Sequence, residues 1–318
     1  MKKILVTGAL GHIGSRFIHK IRLGDYEKVI LFDNLSSQRY CSLFNLPTNV
    51  PFHFIEGDVC TTDLSKYFKD IDIVIHLAAI TDAAGSFEIQ DQVEKVNFEG
   101  TEKVAKACIG YGCKMVFLST TSVYGTQEKI VNESCTEEEL LPQSPYAKSK
   151  LKAENLLREM GKKDDLKFVI CRFGTIYGTS IGMRFHTAIN KFCWQACMGK
   201  PITVWRTALH QKRPYLDLSD AICAIKFIIE GDHFDNRIYN VLTNNATVNQ
   251  IVEIIRTNIP DAEIKFVNTR IMNQLSYEVS NQKIKSLGFE FTGDLEKGIS
   301  DTLGLIKGAS LGRRNKAR

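Results

Sequence analysis

Two apolar rhythms alternate along the first half of the chain. Short continuous apolar runs predict six strands of the kind buried on both faces: Lys3–Thr7, Val29–Phe32, Phe52–Ile55, Asp72–Leu77, Met115–Leu118 and Lys167–Cys171. Between them, apolar residues recur at helical spacing. His12 to Leu23 places Ile13, Phe17, Ile18 and Ile21 on one face, and Val93 to Ile109 makes a longer helix ended by Gly110 and Gly112. Ser144 and Pro145 predict an N-cap and first helical residue, opening a helix that runs to Met160 with Gly161 as its stop. Such alternation predicts an α/β chain with a doubly wound parallel sheet.

After Arg172 the rhythm loosens. Helices are expected near Phe185–Met198 and over Leu218–Glu230, Val248–Asn258 and Leu295–Lys307, with strands at Ile202–Val204 and Ile238–Val241. This reads as a smaller C-terminal α/β substrate domain packed beside the sheet. The expected division is 1–175 plus about 214–241 for a dinucleotide-binding domain. About 176–213 plus 242–310 form the second, and 311–318 a basic disordered tail. Glu137-Glu138-Glu139 reads as a solvated acidic loop.

Composition and charge narrow the function classes. The 318 residues carry 41 Lys+Arg against 36 Asp+Glu, a net charge of +5. Gly312 to Arg318 holds four of those cations and no acid, which leaves the body within one charge of neutral. A nucleic-acid-binding protein concentrates its charge on a folded face, so no nucleic-acid partner is expected. No apolar stretch reaches the roughly 20 residues needed to span a bilayer, and Ile4-Leu5-Val6 is too short for a signal peptide. A cytoplasmic, membrane-free protein follows as the expectation. Its nine cysteines then read as buried reduced thiols, and no metal site is expected.

The chemistry begins at Thr7-Gly8-Ala9-Leu10-Gly11-His12-Ile13-Gly14, between the first strand and the first helix. Gly8 suits a tight turn, Gly11 lets main chain approach a pyrophosphate, and Gly14 lets helix and sheet pack closely. Asp33 ends the second strand, where a carboxylate can accept from both adenosine ribose hydroxyls and would repel a 2′-phosphate. This is a Rossmann-type signature, and NAD is the expected cofactor.

With these residues the chain resembles the extended short-chain dehydrogenase/reductase family, in its group of nucleotide-sugar epimerases and dehydratases. Further matches run over roughly residues 2–308. Gly57-Asp58-Val59 resembles the adenine contact, and His76-Leu77-Ala78-Ala79 the segment beside the cofactor. Val96-Asn97-Phe98-Glu99-Gly100-Thr101 resembles a structural asparagine motif; Val123-Tyr124-Gly125 and Tyr177-Gly178 resemble two family turns. Arg213 to Asp220 resembles part of the substrate region. The resemblance extends the cofactor-contacting set to His12, Ile13, Asn34, Asn97, Ser119 and Phe173. It also implies a homodimer paired through the two long helices, and a nucleotide-diphosphate sugar as substrate.

Tyr146 and Lys150 stand four apart and share a helix face. A free phenol, with a pKa of about 10, is a poor base at neutral pH. A nearby ammonium stabilises the phenolate, so Lys150 can prepare Tyr146 to take a proton from a sugar hydroxyl while hydride leaves the same carbon. The family's third catalytic residue falls on Thr120, with Ser122 as the alternate. Where the 4,6-dehydratases place an Asp-Glu pair after this Thr, the chain has Thr121-Ser122, which argues against elimination. His186 and Cys193 fall near where a C3/C5 reductase-epimerase branch has its acid and base.

Oxidation at one sugar carbon, C4, remains. A 4-epimerase leads, and a 4-dehydrogenase or 4-keto reductase is the alternative; a non-catalytic dinucleotide sensor would not need the Tyr–Lys pair. Two departures from the epimerase pattern keep the alternative open. Thr175 stands in place of an Asn that helps hold the diphosphate, and Thr81 near a cofactor-contacting Lys. Arg213 is the foremost candidate for the substrate diphosphate because a guanidinium fork matches phosphate. Thr120, Ser122, Thr175, Arg184 and Asn190 complete the substrate set. The stretch from Gly174 through Met183-Arg184-Phe185 to Asn190 resembles a subgroup of surface-polysaccharide biosynthesis.

Overall fold

The computed structural model describes residues 1–125, 127, 130–267 and 277–308. The basic tail expected at 311–318 lies outside the described residues. Twelve strands are described: β1 (Lys2–Thr7), β2 (Tyr26–Asp33), β3 (Phe52–Glu56), β4 (Ile73–His76), β5 (Lys114–Thr120), β6 (Phe168–Phe173), β7 (Thr175–Tyr177), β8 (Ile202–Trp205), β9 (Lys212–Asp217), β10 (Ile238–Val241), β11 (Asn244–Thr247) and β12 (Ile264–Val267). The α-helices are α1 (His12–Ile18), α2 (Ser65–Phe68), α3 (Gln90–Glu94), α4 (Gly100–Tyr111), α5 (Pro145–Lys163), α6 (Ala188–Cys197), α7 (Leu218–Glu230), α8 (Val248–Asn258), α9 (Gln282–Lys285) and α10 (Leu295–Lys307).

Seven strands form one parallel sheet in the order β3-β2-β1-β4-β5-β6-β10. The chain reverses its direction of travel between β1 and β4, and a crevice opens beyond their carboxyl ends. The continuous apolar runs have the physical consequence expected of them: β1, β4, β5 and β6 are almost wholly buried, with separate apolar layers on the two sheet faces.

The second region holds a three-stranded sheet, β11-β9-β7, and a parallel pair, β12-β8, over a core with α6, α8 and α10. The expected boundary at 175/176 falls inside β7, and that at 213/214 inside β9. Asp220, buried at the start of α7, ties this region to the main body. Its carboxylate accepts from the Thr292 and Gly293 amides at 2.9 and 3.1 Å and from the Thr243 hydroxyl at 2.7 Å.

Several elements differ from their expected form. The first helix stops at Ile18 rather than Leu23, where the chain tightens into short-range turns. Gly161 does not stop α5, which continues to Lys163; the Phe168 ring fills the space where a side chain at 161 would stand. The second long helix starts at Gln90 and contains a π-helical turn at Lys95–Glu99. The acidic loop holds a single 3₁₀ turn, Glu137–Glu139, closed by a capping box between Thr136 and Glu139. Five of the cysteines are buried, but Cys41 and Cys223 are exposed, which corrects the uniform reading of buried thiols. No described helix is long and apolar enough to cross a membrane.

Candidate active site

A cleft of about 1010 Å³ runs from the glycine turn to the second region. Its floor is the main chain at the carboxyl end of β1. Gly8 has φ +65°, and a Cβ there would lie 2.7 Å from the Ala78 amide nitrogen. A Cβ on Gly14 would lie 2.6 Å from the Gly8 and Ala9 carbonyl oxygens, so α1 packs against the turn only with glycine there. Asp33 closes the end of β2, and its carboxylate accepts from the Leu10 and Leu35 amides at 3.0 and 2.9 Å. It therefore holds the glycine turn in shape while facing the cleft. Asn34 donates to Asp58 at 2.8 Å. Burial works against the Asp58 charge, but the hydrogen bonds from Asn34 and Cys60 outweigh it and hold the carboxyl below its usual range.

Gly11, His12, Ile13, Val59, Leu77, Ala78 and Ala79 line the same half of the cleft. Asn97 does not. It sits in the π turn, buried, with its amide accepting from Ile80 N at 2.8 Å and donating to Ile80 O at 2.9 Å and to the Ser149 hydroxyl at 3.2 Å. It ties the loop after β4 to α5 from behind the cleft wall. The π turn directs this side chain inward, a local irregularity that helical periodicity does not reveal.

The reactive end is built on the first turns of α5. Ser144 caps the helix by accepting from the Ala147 amide at 3.1 Å, and Pro145 follows at the first position. Tyr146 then faces the end of β5, where Thr120 hydrogen-bonds its hydroxyl. Thr120, rather than the alternate Ser122, thus stands against the phenol; the Ser122 amide donates to the Thr120 hydroxyl at 3.1 Å. Both line the cleft, with Ser119 and Phe173 beside them. Lys150 lies one turn along α5, donates to Leu118 O at 2.8 Å and sits 4.7 Å from the Phe117 ring centroid. Burial pushes its ammonium down to about 7, against the pull of Glu154.

Burial also pushes Tyr146 up, to about 12, with Thr120 and then Arg184 pulling it down. This differs from the sequence expectation, in which Lys150 was the group that lowers the phenol. The ammonium is directed to the Leu118 carbonyl, and the cation that lowers the phenol is Arg184, which reaches across from the second region and donates to the Thr81 hydroxyl. The cation that the resemblance places at position 81 is therefore supplied in space by residue 184.

Thr175, Arg184 and Arg213 line the cleft on the side of the second region. Asn190 does not: it is buried and bonds Gly178 N and O at 3.3 Å and Arg184 O at 3.4 Å. It shapes the loop that carries Arg184. His186 lines the cleft, but Cys193 is sealed in the second core, so the two are not brought together. The residues missed by spacing are Arg39 and Asp82 on loops, Lys95 in the π turn and Lys191 in the first turn of α6, all lining the cleft. No local pattern marks them.

Charge is concentrated here. Arg39, Lys95, Lys150, Arg184, Lys191 and Arg213 face Asp33, Asp58 and Asp82 across the cleft. A protein whose body is nearly neutral thus presents a cationic cleft, suited to diphosphates. The glycine cradle, the Asp33 acceptor and these cations fit NAD, and at Gly8 and Gly14 the cradle leaves no room for a side chain.

Residues 4–241 match the NAD dependent epimerase/dehydratase family, and the chain belongs to it. It is accordingly an enzyme of the extended short-chain dehydrogenase/reductase type with NAD as cofactor. Among its relatives is the trifunctional UDP-glucose 4,6-dehydratase/UDP-4-keto-6-deoxy-D-glucose 3,5-epimerase/UDP-4-keto-L-rhamnose-reductase of Arabidopsis thaliana. That protein is 30% identical over 95% of the chain and 46% of its own length. The chain spans about half the length of such curated relatives. An uncharacterized UDP-glucose epimerase of Bacillus subtilis is 30% identical over 80% of the chain and 81% of its own length. The structure of the UDP-glucuronic acid 4-epimerase of Bacillus cereus, in complex with UDP-glucuronic acid and NAD, is similar with a TM-score of 0.88. Identity there is 27%, covering 96% of this chain and 99% of that one.

Proposed function

We propose that the chain is a nucleotide-sugar 4-epimerase that oxidises the C4 hydroxyl and returns hydride to the opposite face of the ring. The observation that carries this reading is the reactive end itself: Tyr146 against Thr120, Lys150 one turn on, and the hydroxyls of Thr121 and Ser122 where elimination would need carboxyl groups. The 4-epimerase of Bacillus cereus supports it as a structural likeness over nearly the whole chain.

Gly8, Gly11 and Gly14 would cradle the NAD pyrophosphate at the start of α1, Asp33 the adenosine ribose, and Lys150 the ribose beside the reactive end. Bound there, NAD supplies a reversible hydride acceptor and a positive charge next to Tyr146. Tyr146 takes the O4 proton as hydride leaves C4, with Thr120 holding O4, and returns a proton to O4 once the ring has turned over. Thr120 and Arg184 already favour the phenolate; the added cation completes the offset against burial. Arg213, with Lys191 near the start of α6, would hold the sugar-nucleotide diphosphate, leaving the sugar free to rotate about it. We place homodimerisation through the α4 and α5 faces in the same reading.

Thr175, in place of the expected Asn, favours the second reading, a 4-dehydrogenase or 4-keto reductase with looser hold on the diphosphate. One assay separates the two. The purified enzyme is given UDP-, GDP-, dTDP- and CDP-sugars, and the NADH absorbance band and product stereochemistry are followed together. A 4-epimer without net NADH is expected. NADH accumulating in step with a keto sugar would replace the epimerase by the dehydrogenase.

A further inference from the structure

Tyr146, Lys150 and Glu154 follow one another at four-residue intervals along α5 and so share one face. The first two line the cleft; Glu154 lies beneath them, 1% exposed. Its carboxylate is fully engaged. Arg172 on β6 donates to it from Nε at 3.1 and 3.2 Å and from Nη2 at 2.6 Å, and the Ser119 hydroxyl donates to the same Oε1. Arg172 in turn lies over the Tyr124 ring, 4.9 Å from its centroid. A purely structural ion pair would need only Glu154 and Arg172. Here the carboxylate also stands one turn from Lys150 on the same helix face, and it draws in Ser119, the residue immediately before Thr120.

We propose that Glu154 is a positioning residue of the reactive end, acting through Lys150: held rigid by Arg172 and Ser119, it keeps the buried Lys150 amine in its ammonium form beside Tyr146. This rests on the catalytic reading of Tyr146 and Lys150 given above. The groups facing Lys150 leave Glu154 as its negative neighbour. Its own helix contributes Tyr146 and Glu154. From β4 comes His76, held neutral by burial between the Thr7 and Thr101 hydroxyls. From β5 come the Leu118 carbonyl, the Phe117 ring and the hydroxyls of Ser119 and Thr120. Arg172 on β6 stands behind the carboxylate that neutralises it. Burial drives Lys150 toward the neutral amine and Glu154 opposes it, so losing Glu154 deprotonates Lys150 at a lower pH. A neutral amine would give up the positive charge that the reading above places at the cofactor ribose beside the reactive end.

The test uses the NAD-loaded full chain carrying Glu154→Gln, Glu154→Asp, or Glu154→Gln with Arg172→Met. The double variant guards against misfolding, because removing both members of a buried ion pair leaves no unpaired charge. Two readouts are taken: the Lys150 titration by NMR of ε-¹³C-lysine-labelled protein, assigned with Lys150→Met, and the pH profile of kcat. In Glu154→Gln and in the double variant, the Lys150 midpoint and the alkaline limb of kcat both move down by about one unit or more, each unit a tenfold change in the ammonium-to-amine ratio at a given pH. Glu154→Asp, which keeps the charge, moves both by less than half as much. A folded, NAD-retaining double variant with neither quantity moved overturns the proposal, as does a moved midpoint with an unmoved limb. Undiminished turnover by Tyr146→Phe would instead strike the catalytic reading, and the lysine titration would still decide whether Glu154 acts on Lys150.

Discussion

At the glycine-turn end of the cleft the surface is main chain, while at the end proposed to hold the sugar nucleotide it is side chain. The first is made by a turn whose carbonyls and amides stand at the carboxyl end of the central strand, braced by Asp33 through the Leu10 amide. The second is assembled from Thr175 on β7, Arg184 on a loop and Arg213 on β9, with Asn190 behind them. A main-chain surface can be altered only by blocking the turn, so one added methyl group has a large effect. A side-chain surface loses one donor at a time. The two ends should fail differently when mutated, and Tyr146, at their junction, should fail most completely.

Tyr146→Phe keeps the ring and removes the one group positioned to take the proton. We expect kcat to fall by about 10²- to 10⁴-fold, the range of a positioned acid–base group, with NAD content unchanged. Single-turnover assays together with the NAD content of the purified variant check this. Loss of NAD in parallel would show that the junction belongs to the cofactor end rather than to the chemistry.

Gly14→Val breaks the main-chain end. Its side chain would enter space held by the Gly8 and Ala9 carbonyls, 2.6 Å from the Cβ position, and overpacking of this kind typically costs 1–3 kcal/mol, here at the turn that meets the pyrophosphate. The variant should purify without NAD and weaken NAD binding by about 10- to 100-fold, measured by calorimetry. Full NAD occupancy would mean that the turn is more adaptable than its packing indicates.

The same contrast explains what could be read from the sequence. The first half is legible because each buried parallel strand is a continuous apolar run, and because the glycine turn needs three particular residues at fixed spacing. Ser144-Pro145 announced α5, and Tyr146-Ala147-Lys148-Ser149-Lys150 announced the reactive face. The side-chain end is built from strands too short and too polar to announce themselves. Asn244–Thr247 and Lys212–Asp217, which contains Pro214, pair only because each has the other. Asn97 and Asn190 were legible as important polar residues, but not as residues that work from behind the wall, because that depends on a π turn and a loop. Arg184 was legible as a candidate, but its reach to Thr81, far away in sequence, was not.

Arg213→Met tests the side-chain end by removing one donor without emptying its space. A hydrogen bond to a charged group contributes about 1.5–3 kcal/mol, so KM for the nucleotide sugar should rise by about 10- to 100-fold. NAD content should stay constant and kcat should change much less than KM. Titration with the bare nucleoside diphosphate sharpens the result, since its affinity should fall by the same factor if Arg213 holds the diphosphate. A change confined to kcat would move Arg213 from the diphosphate to the reacting sugar.

Asp220→Asn probes the joint between the two ends and should have the smallest effect on chemistry. The buried carboxylate accepts from the Thr292 and Gly293 amides and from Thr243. An amide of the same shape offers one acceptor oxygen and turns an NH₂ toward main-chain donors, leaving at least one N–H unsatisfied. That costs about 1–3 kcal/mol, or a few degrees in Tm for a chain of this size. If the joint only holds the regions together, differential scanning calorimetry records the lower Tm while kcat and NAD content at 25 °C remain those of the parent. If KM for the sugar nucleotide rises as well, the side-chain end depends on how the second region is docked, and the cofactor end, built on the central sheet, does not.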